Sequence, residues 1–239
     1  MQLDTQPFNL RRCGINPHHW YVVARSCELK QQPLSVTLWK QAIALYRDSS
    51  GNVYALEDRC PHRQVKLSQG QVKGNTLECA YHGWCFNPQG ECETVPYLTP
   101  SQKPPRCKIR TFPVKEQDGF IWLFLGQENP DSVPLLGIPE WEHLNYIPTV
   151  ALIDSHSHYS FLIENLMDMY HGHLHKDYQA WASASLKELE TDSQQVNAVY
   201  EAQSYYRIDK IWSISQLFFP KLRRLHPEPL TVSYIYPHW

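Results

Sequence analysis

Two short segments, EDRCPHRQ (57–64) and ECAYHGWCF (78–86), each bring one cysteine and one histidine. Cys60 and His62 stand as Cys-x-His, and Cys79 and His82 as Cys-x2-His, with sixteen residues between the two pairs. Each pair is too closely spaced to fold away from a shared metal centre, so the pattern predicts four ligands on the tips of two neighbouring loops. Two chemistries suit that set. One is a tetrahedral zinc site of two thiolates and two imidazoles. The other is a 2Fe–2S cluster, with two thiolates on one iron and two neutral imidazoles on the other. Imidazoles in place of thiolates lower the negative charge on such a cluster, raise its potential, and can couple its reduction to histidine protonation. Cys-x-His is an unusual zinc knuckle, and strand and turn residues fill the interval, which favours the cluster.

A second constellation lies in IENLMDMYHGHLHKDY (163–178). From Tyr159 to His175 the spacing is helical, and at 3.6 residues per turn Glu164, Asp168, His171 and His175 fall on one face. Two histidines and a carboxylate with open positions make a mononuclear Fe(II) site. Burying such a face without a metal or partner would be costly; the plainer alternative is an exposed polar face. His171 and His175 meet as i and i+4. His173 points to the other side of a regular helix, but Gly172 could distort the turn, so His173 stays in reserve.

The elements that must position these residues differ between the two halves. WYVVA (20–24), AIALY (42–46), VYAL (53–56), TLEC (76–79) and FIWLFL (120–125) are rich in branched and aromatic residues and read as strands, with RDSSGN (47–52) as a hairpin turn. Residues 127–149 include QENPDSVPLLGIPEW, with three prolines and no periodicity, and read as a connector. Beyond it, QQVNAVYEA (194–202) and LTVSYIY (230–236) look like strands, and DKIWSISQLFFPKLRRL (209–225) like a helix kinked at Pro220. The expected organisation is a mainly β, antiparallel domain over 18–126, a connector over 127–149, and a partial α+β domain over 150–239.

Composition limits the function classes. A net charge of −2 over 239 residues gives no broad electrostatic reason to expect nucleic acid or a membrane surface as partner. The N-terminus has no apolar stretch suited to a signal peptide, and the run Phe120–Leu125 is too short to span a bilayer, so the expectation is a soluble cytoplasmic protein. Seven cysteines (13, 27, 60, 79, 85, 92 and 107) read as thiols and metal ligands rather than a disulfide framework, with Cys85 and Cys92 as packing thiols. Tyr159, Phe161, Tyr170, Trp181 and Trp212 are candidates for an apolar pocket, or for core.

The words around the first constellation resemble the Rieske family. CPHR, CAYHGWCF, GECETVPY and FPVKEQDGFIWLFLG run in that family's order from Cys60 to Gly126. Rieske proteins of respiratory and photosynthetic complexes add a cysteine to each ligand loop and join the two; Val65 and Tyr81 stand at those places here. The resemblance is therefore to the oxygenase and ferredoxin branch, without that disulfide and with a lower potential. It implies a 2Fe–2S cluster on Cys60, His62, Cys79 and His82.

Asn165, Asp168 and His171 match the helix pattern of Rieske non-haem iron oxygenases, which resemble aromatic ring-hydroxylating alpha subunits. The resemblance implies a helix-grip-like catalytic domain with His171 as first ligand of a mononuclear Fe(II). It also implies Asp168 as a bridge toward the cluster histidine, His82, of a neighbouring subunit in a homotrimer, the two centres of one chain lying too far apart. Two departures stand out. Three residues separate His171 from His175 where the family has four, and Lys176 occupies the usual place. The family's third ligand is an aspartate far downstream, yet none of Asp177, Asp192, Asp209 or Glu228 has a recognisable ligand context. A fragment or a natural short form is expected.

The implied activity is electron transfer from the cluster to the mononuclear iron for O2-dependent hydroxylation, dihydroxylation or demethylation of a small organic substrate. Electrons would come from a flavin reductase, directly or through a ferredoxin. Arg63, Lys66, Lys73 and PRCKIR (105–110) could greet an acidic ferredoxin. The rival expectation is a catalytically incomplete Rieske electron carrier.

Overall fold

A computed structural model describes residues 16–99, 101–138, 141–145, 147–168, 170–171, 185–192, 195–201 and 229–235. The chain divides into two compact units, one of residues 14–151 and one built on residues from 152 onward. In the first, ten strands follow one another. They are β1 (Trp20–Arg25), β2 (Leu34–Leu38), β3 (Gln41–Arg47), β4 (Val53–Glu57), β5 (Gln71–Lys73), β6 (Thr76–Glu78), β7 (Cys85–Phe86), β8 (Cys92–Thr94), β9 (Val114–Gln117) and β10 (Phe120–Phe124). They form three antiparallel sheets, ordered β1-β10-β9, β2-β3-β4 and β5-β6-β7-β8.

The middle sheet explains the apolar run in AIALY. Successive side chains of a strand point to opposite faces. Ile43 and Leu45 of β3, with Ala55 of β4, pack with Ala24, Phe112, Ile121 and Leu123 on the side of β1 and β10. Ala44, Tyr46 and Leu56 pack with Leu67, Leu77, Trp84 and Phe86 on the side of β6 and β7. Both faces are covered, so neither can be polar. The second core also contains Cys60 and Cys79, which places the ligand loops at the end of the sandwich that this core stabilises.

Short turns fix the register. Asp118 and Gly119 both have positive φ (54° and 74°) between the paired Gln117 and Phe120, the two-residue hairpin an Asp-Gly pair prefers. RDSSGN forms its expected turn, with Asp48 Oδ1 accepting from the N–H groups of Ser50 and Asn52. The proline-rich stretch folds back on the same unit: Ile138 N–H donates to Asp118 Oδ2 at 2.7 Å, and the Trp20 indole donates to Val133 O at 3.0 Å. Trp141 stacks obliquely on Phe120, centroids 5.9 Å apart.

The described part of the second unit has helix α1 (Tyr159–Met167) and an antiparallel sheet β11-β12-β13, made of β11 (Ser185–Thr191), β12 (Gln195–Glu201) and β13 (Pro229–Ile235). The strands expected near 194–202 and 230–236 are present; β11, written SLKELET, was not anticipated. All seven residues of β11 are exposed. The expected helix over 209–225 lies outside the described residues. No described helix is long and apolar enough to cross a membrane.

The helical reading from Tyr159 to His175 needs correction. The helix stops at Met167, and Asp168 is its extended C-cap, with φ −87° and ψ 97°. The Asp168 carboxylate accepts from Tyr170 N–H at 2.8 Å. Such a local bond offers the backbone an alternative to the next helical turn. Asp168 N–H still bonds Glu164 O at 3.1 Å, so the break falls after Asp168, and His171 does not continue the helical face of Glu164.

Candidate metal centre

The two ligand loops repeat one backbone design. In the first, Cys60 N–H donates to Val65 O at 2.8 Å and Gln64 N–H donates to Cys60 O at 2.8 Å. In the second, Cys79 N–H donates to Trp84 O at 2.9 Å and Gly83 N–H donates to Cys79 O at 3.0 Å. The fourth residue after each cysteine is left-handed: Gln64 at φ 62° and Gly83 at φ 69°. Each loop thus turns back over its own cysteine and leaves the intervening histidine at its tip.

Both cysteines are buried and both histidines half-buried. The rings of His62 and His82 lie 4.6 Å apart, centroid to centroid. Burial pushes the Cys60 thiol up to about 11, and the Cys79 thiol, which hydrogen-bonds it, adds to the rise. Two thiols this close and this dry are poor company for each other as free thiolates, and a bound cation reverses that preference. Burial, followed by the nearby His82 and Arg63, lowers His62 below its ordinary value and favours the neutral imidazole. His62 Nδ1 is buried and has no hydrogen-bond partner among the described residues. Buried polar atoms are normally paired, so this lone pair is open to a metal. The two thiols and two imidazoles therefore fit a 2Fe–2S cluster with one kind of ligand on each iron.

Neighbours brace both loops. The buried Asp58 carboxylate, two residues before Cys60, accepts from Ser68 N–H (2.7 Å), Ser68 Oγ–H (2.7 Å) and Ser35 Oγ–H (2.9 Å). Trp84 lies against His62 with ring planes 8° from parallel, and its Nε1–H donates to the Tyr97 hydroxyl at 2.6 Å. Tyr81 covers His82 from the exposed side, centroids 3.8 Å apart. Sequence reasoning assigned none of Asp58, Trp84 and Tyr97 a role, although all three sit inside or beside the quoted ligand words.

Of the second constellation, Asn165, Asp168 and His171 come together. His171 Nδ1 lies 3.7 Å from Asp168 Oδ2, and His171 Nε2 lies 3.4 Å from Asn165 Nδ2. His173 and His175 lie outside the described residues. Among the described residues no three His, Cys, Asp or Glu side chains gather as the ligands of a single ion would.

Residues 19–113 match the family model described as the Rieske [2Fe-2S] domain. The chain is 39% identical over 199 residues to a 4beta-methylsterol monooxygenase of Methylococcus capsulatus, covering 81% of this chain and 54% of that protein. It is 35% identical over 159 residues to the oxygenase component of dicamba O-demethylase of Stenotrophomonas maltophilia, covering 64% and 45%. The chain thus spans about half the length of these relatives. Among solved structures, dicamba monooxygenase with non-heme iron and dicamba matches with TM-score 0.67 and 28% identity, over 90% of this chain and 61% of that one. A sandwich built to aim two cysteine–histidine loops at one point, matched over this length, places the chain in the Rieske non-haem iron oxygenase family.

Proposed function

We propose that Cys60 and Cys79 hold one iron of the cluster and His62 and His82 the other, and that the protein is the oxygenase component of a multicomponent system. The observation that carries this reading is the pair of matched loops, which turn two buried thiols and two neighbouring imidazoles, 4.6 Å apart, toward each other. When bound, the cluster supplies single electrons and a mononuclear iron supplies dioxygen activation beside a small organic substrate. The chain's own residues hold and orient. Trp84 and Tyr81 fix the planes of the two ligand imidazoles, and the burial of Cys60 excludes water from the thiolate pair.

In the second unit, His171 and His175 are the proposed iron ligands, with His173 in reserve. Asn165 and Asp168 flank His171. An aspartate that can both accept a hydrogen bond and face a neighbouring subunit suits the role of relay to the partner's cluster histidine, in a homotrimer. The proposed reaction is O2-dependent hydroxylation or demethylation, driven by a flavin reductase directly or through a ferredoxin.

The test is an assay of iron, zinc and acid-labile sulfide on anaerobically purified protein reconstituted with ferrous iron. About three irons to two sulfides per chain supports both centres. About two of each supports the cluster and moves the reading to an electron carrier. Zinc without sulfide overturns it. For the relay, Asp168→Ala is expected to keep the cluster's visible spectrum and lose coupled substrate oxidation.

A further inference from the structure

Cys92 and Cys107 stand outside both ligand loops, and the chain sets them face to face. Glu91 and Lys108 form an antiparallel bridge. On either side of it, Ile109 N–H donates to Gly90 O at 2.8 Å and Cys92 N–H donates to Cys107 O at 3.4 Å. One step along an antiparallel register from Glu91 and Lys108, Cys92 is opposite Cys107, and opposed residues put their side chains on one face. Opposed Cα atoms at such a hydrogen-bonded position are about 5.5 Å apart, within the span of about 4.4–6.8 Å that disulfides bridge.

The environment of the pair is distinctive. Both thiols are half-buried and pack against the core that contains Cys60, Cys79 and Trp84. Burial, and after it the neighbouring Cys107 thiol, raises Cys92 to about 12. Both cysteines also line an open cleft of about 510 Å³ whose wall carries Lys103, Arg106 and Lys108 and one acid, Glu91, 3.9 Å from Lys108. Cys107 sits in sequence between two of those cations, a setting that attracts anions.

We propose that Cys92 and Cys107 are a reversible dithiol–disulfide switch whose oxidant is an anionic low-molecular-weight disulfide received in the basic cleft. The Cys107 thiolate attacks one sulfur of the small disulfide; that S–S bond breaks, and one thiol departs after taking up a proton. Cys92 then gives up its proton and attacks the Cys107 sulfur. The Cys92–Cys107 bond forms and the second small thiol departs. Two protein thiols are oxidised, and one small disulfide is reduced to two thiols.

The ring so closed has a place to act. Its intervening segment carries Pro96, whose Cγ lies 2.7 Å from where a Cβ on Gly83 would stand. It also carries Tyr97, which accepts from Trp84. Oxidation ties down the segment that backs the second ligand loop. The switch itself requires only the strand register and the cleft, so it stands apart from the assignment of the cluster.

The test treats the full chain, loaded with iron, with oxidised glutathione or with dithiothreitol, blocks remaining thiols, and maps tryptic peptides without reduction. After oxidised glutathione, the peptide beginning at Cys107 is expected to be joined to the one containing Cys92, with fragmentation placing the bond on Cys92 and not on Cys79 or Cys85 of the same peptide, and dithiothreitol is expected to release it. Cys92→Ser is expected to leave glutathione on Cys107. Limited trypsin cleavage after Arg106 is expected to slow severalfold in the oxidised wild type. Both thiols still alkylated after treatment, or Cys92 joined to Cys85 instead, overturns the switch. Iron and sulfide measured on the same samples report the cluster separately.

Discussion

The imidazole of His62 and the indole of Trp84 lie face to face, with ring centroids 4.6 Å apart and planes 8° from parallel. A flat neighbour restrains rotation about the ring's last bond, which the proposed ligand role of His62 requires. Trp84 is itself held by the Tyr97 hydroxyl at 2.6 Å. The contact thus runs from the 92–107 segment through Trp84 to His62.

Substitutions along this line separate its two parts. Trp84→Phe keeps an aromatic face but loses the bond to Tyr97, which costs about 1 kcal/mol. Trp84→Leu also loses the stack, worth a further ~0.5–1.5 kcal/mol. Tyr97→Phe is expected to behave like Trp84→Phe. The measurement is the rate of iron release to a chelator at fixed pH, with leucine fastest. Equal rates for the phenylalanine and leucine variants would show that the stack contributes nothing.

The matched loops carry different residues at their left-handed position, and the difference has a consequence for stability. Gly83 and Gln64 hold equivalent left-handed positions, at φ 69° and 62°. A side chain in that region costs roughly 1–2 kcal/mol. At Gly83 an added Cβ would also strike Pro96. Gly83→Ala is therefore expected to lower the unfolding midpoint and the fraction of protein retaining the cluster, and Pro96→Ala in the same chain should recover only part of the loss. Gln64→Gly should move the midpoint the opposite way. A destabilised Gln64→Gly would mean that its side chain contributes more than its backbone strain removes.

Asp58 provides the third prediction. Its buried carboxylate satisfies three donors from Ser35 and Ser68. Asp58→Ala removes the acceptor of the half-buried Ser68 and of Ser35, at about 1–2 kcal/mol. Asp58→Asn keeps an acceptor for Ser68 N–H and is expected to lose less. Denaturant midpoints check the order. Iron content should fall in parallel, because the same bonds anchor the strand-to-loop passage just before Cys60.

How far the sequence could be read depended on the kind of signal. Strands buried on two faces, such as AIALY and VYAL, declare themselves by continuous branched and aromatic residues. β7 and β8 have only two and three residues and no periodicity to detect. SLKELET reads as polar surface, yet it pairs along β12 through backbone bonds to which composition is blind. The four proposed cluster residues stood out because their spacing is chemistry, and the structure brings the His62 and His82 rings within 4.6 Å. Their matched loops did not, since nothing in glutamine announces the left-handed Gln64. Periodicity carried the helix past Met167 because it counts side chains. It does not register that the Asp168 carboxylate captures Tyr170 N–H and closes a turn there.

The last prediction concerns acid. Arg47 grips Glu116 with two bonds, of 2.7 and 2.8 Å, tying β3 to β9. The Arg47 hydrogen bonds hold the Glu116 carboxyl below the ordinary carboxylate range, against a smaller opposing effect of burial. A carboxyl whose pKa is lower in the folded state stabilises the fold above its unfolded value of about 4.3. That contribution disappears as pH falls through the folded value. Glu116 is 35% exposed and Arg47 24%, so solvent screening keeps the pair near the upper end of surface bridges, about 0.5–1 kcal/mol. Glu116→Gln should lower stability by that amount at neutral pH and match the wild type once pH is below the folded pKa. Because the pair is partly exposed, raising the salt concentration should shrink the neutral-pH gap. A gap that persists unchanged into acid would place the effect of Glu116 in packing and not in charge.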